Sequence, residues 1–340
     1  IYGVPAGHKP MPVRSAAPLN SRIAMSRILF IACDYYAYTD RIEAEMRAAG
    51  HTVRRFPIEP RGWRNKAVRR FAKGRHQASL DAHHARIFAA IEGERFDQVV
   101  FLQVHQYSLT NLERLRAALP DARFTLYNWD SLKTHDYRPH LACFDKAATF
   151  DPADAQALGI DYLPLFALPE YYDVATSRGV SEYDIYFVGS VHSLARFDAV
   201  KRLHAYCKAE GLRLKLYLHC SPPRMAQLLR RGEWLPGMTL RSIGTDGILD
   251  MMRGSVGVFD FASQQQSGLT MRVFENLAAG MKIIATNPQI AREPFYSSDR
   301  ILLLEQLDFA PVKAFLGEPL RDPRTFGEYS LSNWVRQLLG

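Results

Sequence analysis

Apolar residues in this chain gather in short continuous runs, and the stretches between the runs carry helical periodicity. The run Arg27-Ile-Leu-Phe-Ile-Ala-Cys33 has no polar interruption, the pattern of a parallel strand buried on both faces. Similar runs predict strands at Thr52–Pro57, Asp97–Val104, Arg123–Tyr127, Lys146–Phe150 and Tyr162–Phe166. Between them a helix opens near Asp40 and stops at Gly50, and residues 61–93 read as helical with breaks near Gly74 and Gly93. Thr110 and Glu113 have the spacing of a capping box. Asp151-Pro152 and Gly159 bracket a short helix with N-cap, first-turn proline and terminal glycine. Ala167–Glu182 carries neither pattern and reads as a linker. Alternation then restarts: strands at 184–189, 213–219, 255–259 and 282–286, helices at 195–210, 247–252, 271–279 and 331–339.

Strand–helix alternation of this kind predicts an α/β fold with open parallel sheets and right-handed crossovers. Two doubly wound, Rossmann-like domains are expected, at 25–166 and 183–316, with a helical segment at 317–340. The 340 residues suffice for both cores. Residues 1–24 have basic residues and prolines but no apolar core of a signal peptide, and read as a leader or loose arm. No run of 18 apolar residues occurs. Four cysteines without a C-x-x-C pair argue against a disulfide scaffold or zinc ribbon and make a reduced, cytoplasmic setting the expectation.

Charge changes the picture in one place. The formal net charge is +8, and residues 54–75 hold nine basic residues against one acid, Glu59. Trp63, Ala67, Val68 and Phe71 share one helical face there, while Arg64, Lys66, Arg69, Arg70 and Lys73 occupy much of the rest. A cationic amphipathic helix of this kind suits an anionic lipid surface. A core-packed helix with a solvated basic face is the plainer alternative, and a nucleic-acid patch a further one.

Ligands of open α/β sheets bind beyond the carboxyl ends of strands. Three such ends carry candidate chemistry. The stretch from Gln265 through Ser267, Gly268, Leu269 and Thr270 leads into a helix whose N-terminus suits a phosphate. On that helix Arg272 could neutralise a diphosphate and Glu275 could accept ribose hydroxyls; an ordinary i,i+3 ion pair below a Thr270 cap is the alternative. Gly189-Ser190, with Arg196 beyond, could form a turn that approaches a phosphate. Asp34, His105 and Asp130 each follow a strand, and Asp130 or His105 could serve as general base on an acceptor hydroxyl. No Asp-x-Asp, no Cys/His set at ligand spacing and no G-x-S-x-G elbow is present.

The block SGLTMRVFENLAAGMKIIATN (Ser267–Asn287) resembles bacterial GT-B glycosyltransferases of lipopolysaccharide and capsule assembly. The segments LYNWDS, FDKAATFDPADAQALGIDYLP and DIYFVGSVHSLAR agree in order, so the resemblance spans residues 25–304. Ala285, where the pattern often has threonine, and Gln266, in place of glycine, depart from it. The resemblance implies sugar transfer from a nucleotide-sugar donor to a glycan or lipid-linked acceptor, without a metal or other cofactor. UDP is the first expectation for the nucleotide, with GDP, TDP and CMP open. Glu275 would hold the ribose; Arg272, Ser267–Thr270, Gly189 and Ser190 the diphosphate. The final helix would cross back to the N-terminal domain, and the basic segment would hold the acceptor domain on the inner face of the cytoplasmic membrane, with no nucleic acid involved. An epimerase of the same fold, a DNA-modifying glucosyltransferase and a non-catalytic nucleotide-binding module are the rival readings.

Overall fold

A computed structural model describes residues 25–35, 37–62, 73–262, 267–322 and 324–340. The first half runs β1 (Arg27–Ala32), α1 (Tyr38–Ala48), β2 (Thr52–Pro57), α2 (Lys73–Ala90), β3 (Gln98–Leu102), α3 (Leu109–Ala118), β4 (Arg123–Asn128), β5 (Lys146–Thr149), α4 (Pro152–Leu158) and β6 (Asp161–Tyr162). The second runs α5 (Pro169–Ser177), β7 (Tyr183–Ser190), α6 (Leu194–Glu210), β8 (Leu214–His219), α7 (Pro222–Arg230), β9 (Met238–Thr239), α8 (Thr245–Arg253), β10 (Ser255–Asp260), α9 (Met271–Ala278), β11 (Lys282–Ala285), β12 (Ile301–Leu303), α10 (Val312–Gly317) and α11 (Leu331–Leu339).

Each half builds one six-stranded sheet, ordered β2-β1-β3-β4-β5-β6 and β12-β11-β10-β7-β8-β9, and every pairing is parallel. The uninterrupted apolar runs explain this: β1 buries Ile28 through Ala32 on both faces at once, which only a sheet covered by helices on both sides accommodates. The strand order reverses between β1 and β3 in the first sheet and between β7 and β10 in the second. Those are the points where side chains beyond the strand ends find an open crevice.

The carboxyl ends of the two sheets meet. Tyr38, past the end of β1, donates its hydroxyl to Glu275 on α9. Asp151, past the end of β5, accepts from the backbone of Ser267 and Gly268, past the end of β10. One apolar cluster runs through both halves, from Phe30 and Val100 to Val258 and Val273. Helix α11 crosses back as expected. Its Trp334 packs edge-on against Tyr127 of β4 at 4.7 Å and tilted against Phe166 at 4.8 Å, and Arg123 donates to the carbonyl of Gly340 at 2.8 Å.

Several local expectations are corrected. Residues 167–182 are not a bare linker: α5 lies there, started by Pro169 and held by buried Tyr171 and Val174. Ser108, not Thr110, caps α3, accepting from the N–H of Asn111 at 3.2 Å. Helix α2 is described from Lys73 onward, so the break expected near Gly74 falls at the edge of the described residues. The strand expected at 162–166 shrinks to Asp161–Tyr162, while α7, β9, β12 and α10 were not anticipated. Gly189 and Ser190 belong to β7 itself, paired with Leu218 and His219, and form no turn. The readings on residues 1–24, Trp63, Arg64, Lys66, Arg69, Arg70, Phe71 and Gln265 fall outside the described residues, as does the side chain of Lys73.

Candidate functional site

In the second half, four charged side chains gather at the β7/β10 reversal. Asp260 ends β10 and is 5% exposed. Arg196, from the first turn of α6, donates to the carbonyls of Ser190 at 3.2 Å and Phe261 at 3.1 Å, so it bridges the ends of both strands. Arg272 and Glu275 come from α9. Burial pushes the Asp260 carboxyl above its ordinary value, against the hydrogen bond from Thr270 and the charges of Arg272 and Arg196. Burial also lowers Arg196, while Arg272 stays firmly charged because Glu275, Tyr186 and Asp260 outweigh its desolvation.

This cluster is incompletely satisfied. Among the described residues Arg272 Nη1, Glu275 Oε2 and Asp260 Oδ2 are buried without a hydrogen-bond partner. Each such group costs on the order of 1–3 kcal/mol. Three of them side by side at a topological reversal mark a place for a polar ligand. Arg272 and Glu275 do not form the i,i+3 ion pair; Glu275 Oε1 takes the Tyr38 hydroxyl instead, with Tyr171 beside it. Thr270 occupies the N-cap position of α9 but makes no cap bond, because its hydroxyl goes to Asp260 at 2.9 Å.

The loop before α9 is engaged differently from the expectation. The N–H groups of Ser267 and Gly268, assigned to a phosphate, donate to Asp151 at 2.8 and 3.1 Å, and the Ser267 hydroxyl donates there too. Asn287 closes the other side by donating to the carbonyls of Ser267 and Gly268. Leu269 is buried behind them. Desolvation works against the Asp151 anion, yet the bonds from Ser267, Gly268 and Asp154 hold its carboxyl below the usual range. Gly268 is required by packing: a Cβ there would lie 2.4 Å from the Phe150 ring and 2.8 Å from its carbonyl oxygen.

The first half presents a different rim. Asp34 is bound by Arg61 through two hydrogen bonds. His105 and Asp130 do come together, joined by His135. The His105 and His135 rings stack at 3.6 Å, and His135 Nε2 lies 3.9 Å from Asp130 Oδ2. Burial pushes the Asp130 carboxyl up, opposed by His135 and by the Gln103 amide that donates to Oδ2. Burial and the neighbouring His135 and His140 bring His105 down to about 4, so it is a neutral imidazole at physiological pH. Gln103 adopts φ +68, a left-handed conformation uncommon for its residue type and frequent at functional positions.

Asp260, Tyr38, Asp151, Gln103 and His135 were missed from sequence. Asp260 ends an apolar run as Asp130 nearly does, and that position was its only signal. The others depend on which strand ends meet.

No protein-family model matches the chain, and no curated protein does. Solved structures do. The catalytic domain of starch synthase IV from Arabidopsis thaliana, bound to ADP and acarbose, superposes with a TM-score of 0.60 at 9% identity, covering 93% of this chain and 96% of that one. Sucrose-phosphate synthase from Thermosynechococcus elongatus gives 0.55 at 13% identity, over 92% and 95%. This chain has the GT-B fold. A protein named as a UDP-N-acetylglucosamine 2-epimerase, from Listeria monocytogenes, shares it at 0.53 and 11% identity, over 93% and 95%. Fold alone therefore does not separate transfer from epimerisation.

Proposed function

We propose that this chain is a glycosyltransferase that moves a sugar from a nucleotide-sugar donor to a glycan or lipid-linked acceptor in bacterial surface-polysaccharide assembly. The observation that carries the reading is the set of unpartnered buried polar atoms on Asp260, Arg272 and Glu275 at the β7/β10 reversal. The nucleoside diphosphate, UDP in the first instance, binds there. Arg196 and Arg272 neutralise the diphosphate, and the open oxygen of Glu275 accepts a ribose hydroxyl. Two fixed guanidiniums supply the charge stabilisation of the leaving group, so transfer needs no metal on the diphosphate. On the opposite rim Asp130 takes the proton of the acceptor hydroxyl, with His105 as the second candidate. Closing the two rims on each other excludes water, which otherwise hydrolyses the donor. Residues 61–75 hold the first half against an anionic membrane on its cytoplasmic side; among the described residues no helix is long and apolar enough to cross a membrane.

A thermal-shift screen with UDP, GDP, TDP and CMP tests the donor site. A ligand at 100 times its dissociation constant stabilises by about 2.7 kcal/mol, which a melting curve resolves. One nucleotide should raise the melting temperature; no shift with any of the four sinks the donor assignment. Conversion of the donor sugar without acceptor would favour the epimerase. Sedimentation with anionic vesicles should lose the protein when residues 64–75 are neutralised; equal binding removes the membrane role.

A further inference from the structure

His105 follows β3, Asp130 follows β4, and His135 sits in the connection beyond it. One ligand-capable atom from each lies within 4.8 Å of the other two. Two imidazoles and a carboxylate are donors that suit zinc and its neighbours among the divalent transition metals. In a tetrahedral zinc site such atoms stand about 3.3 Å apart, so the cluster is short of that geometry by at most about 1.5 Å.

The present stacking of the rings, 9° from parallel, keeps their lone pairs side by side. One ring must turn for both to meet an ion. His135 is the one placed to do so: it is half-buried, its ring makes no hydrogen bond among the described residues, and its Nε2 lies within ion-pair distance of Asp130. Among the described residues His105 Nδ1 is buried without a partner, a lone site that ligation would satisfy. Gln103, donating to Asp130 Oδ2, orients the carboxylate as supporting hydrogen bonds do around metal ligands. The cluster lies on the sheet opposite Arg196 and Arg272, so an ion there does not serve the diphosphate.

We propose that His105, Asp130 and His135 form a binding site for one divalent transition-metal ion of the zinc class, and that the ion takes Asp130 out of proton transfer. The second half rests on the reading of Asp130 as the base. The site is a brake on the acceptor side.

Co2+ titration of the tag-free full chain tests it, because low-coordinate Co2+ shows visible d–d bands that Zn2+ abolishes on displacing it. Wild type should bind one Co2+. His105→Ala and His135→Ala should each weaken binding by about tenfold or more, whereas His204→Ala, on α6 in the other half, should not. His135→Phe keeps the ring stack and removes the nitrogen, so it separates lost ligation from lost packing. Absent bands in wild type, or bands unchanged in His135→Phe, overturn the site. Zn2+ should also inhibit transfer at the concentration at which it displaces Co2+; binding without inhibition overturns the brake. The Co2+ signal needs no sugar substrate, so its failure and a failure of the transfer reading are told apart.

Discussion

At the end of β10, Asp260 is 5% exposed and sits among two guanidiniums and a second carboxylate. At the end of β4, Asp130 keeps 34% of its side chain accessible and has an amide and an imidazole for neighbours. Both sheets are parallel and doubly wound, though their strand orders differ, and both aspartates lie at or just past the end of a buried strand. The first rim is dry, charge-dense and short of partners, an arrangement preorganised for a multiply charged ligand. The second is partly wet and sets imidazoles against a carboxylate, an arrangement suited to proton movement. Parallel topology supplies the position; the residues one turn away decide the chemistry.

The largest expected effect breaks this comparison on the first-half side. Asp130→Asn should lower kcat by about 10²- to 10⁴-fold while nucleotide affinity, measured by calorimetry, stays unchanged. Full activity would mean that the two rims do not divide binding from proton transfer. Glu275→Ala tests the other rim. Hydrogen bonds to a charged group are worth about 1.5–3 kcal/mol, so nucleotide affinity should fall by about 10- to 100-fold. An unchanged dissociation constant removes Glu275 from the site.

The contact between the rims gives smaller effects. Gly268→Ala forces a Cβ against the Phe150 ring and carbonyl, and overpacking of this kind costs about 1–3 kcal/mol in a denaturant titration. A cost near zero would show that the loop yields freely. Asp151→Asn should destabilise by about 1–2 kcal/mol at pH 7, since it replaces charge-assisted acceptance with neutral hydrogen bonds. The Asp151 carboxyl is lowered from its ordinary value of 3.8 in the folded chain. Its contribution is therefore fully present above that value and lost as pH falls through the lower folded one. The difference between wild type and Asp151→Asn should close below about pH 3.8; a gap that persists in acid would assign the effect to packing.

Much of the fold was legible because burial on both faces writes itself into uninterrupted runs. Such runs located β1, β3, β4 and β10, and Trp334 with Leu338 marked the returning helix α11. Short or edge elements such as β6, β9 and β12 span two or three residues and have no period to read. In the site, Arg196, Arg272, Glu275, His105 and Asp130 were placed correctly near strand ends. Their partners were not foreseen: the hydroxyl on Glu275 comes from a residue 237 positions away, and the carboxylate on Ser267 from one 116 away.

The basic segment shows the division most clearly. Composition alone put a charge of +8 between residues 54 and 75. In the folded chain Arg54 meets Glu94, Arg55 meets Asp40 and Glu43, and Arg61 meets Asp34. The sequence by itself determined the alternation of strands and helices, because hydrophobic periodicity is a local property that burial imposes residue by residue. Only the tertiary structure decided which charges are met, which N–H groups Asp151 occupies and that His135 joins His105 and Asp130. Those pairings depend on which strand ends the two sheets bring together, and a side chain's partner is chosen by distance in space.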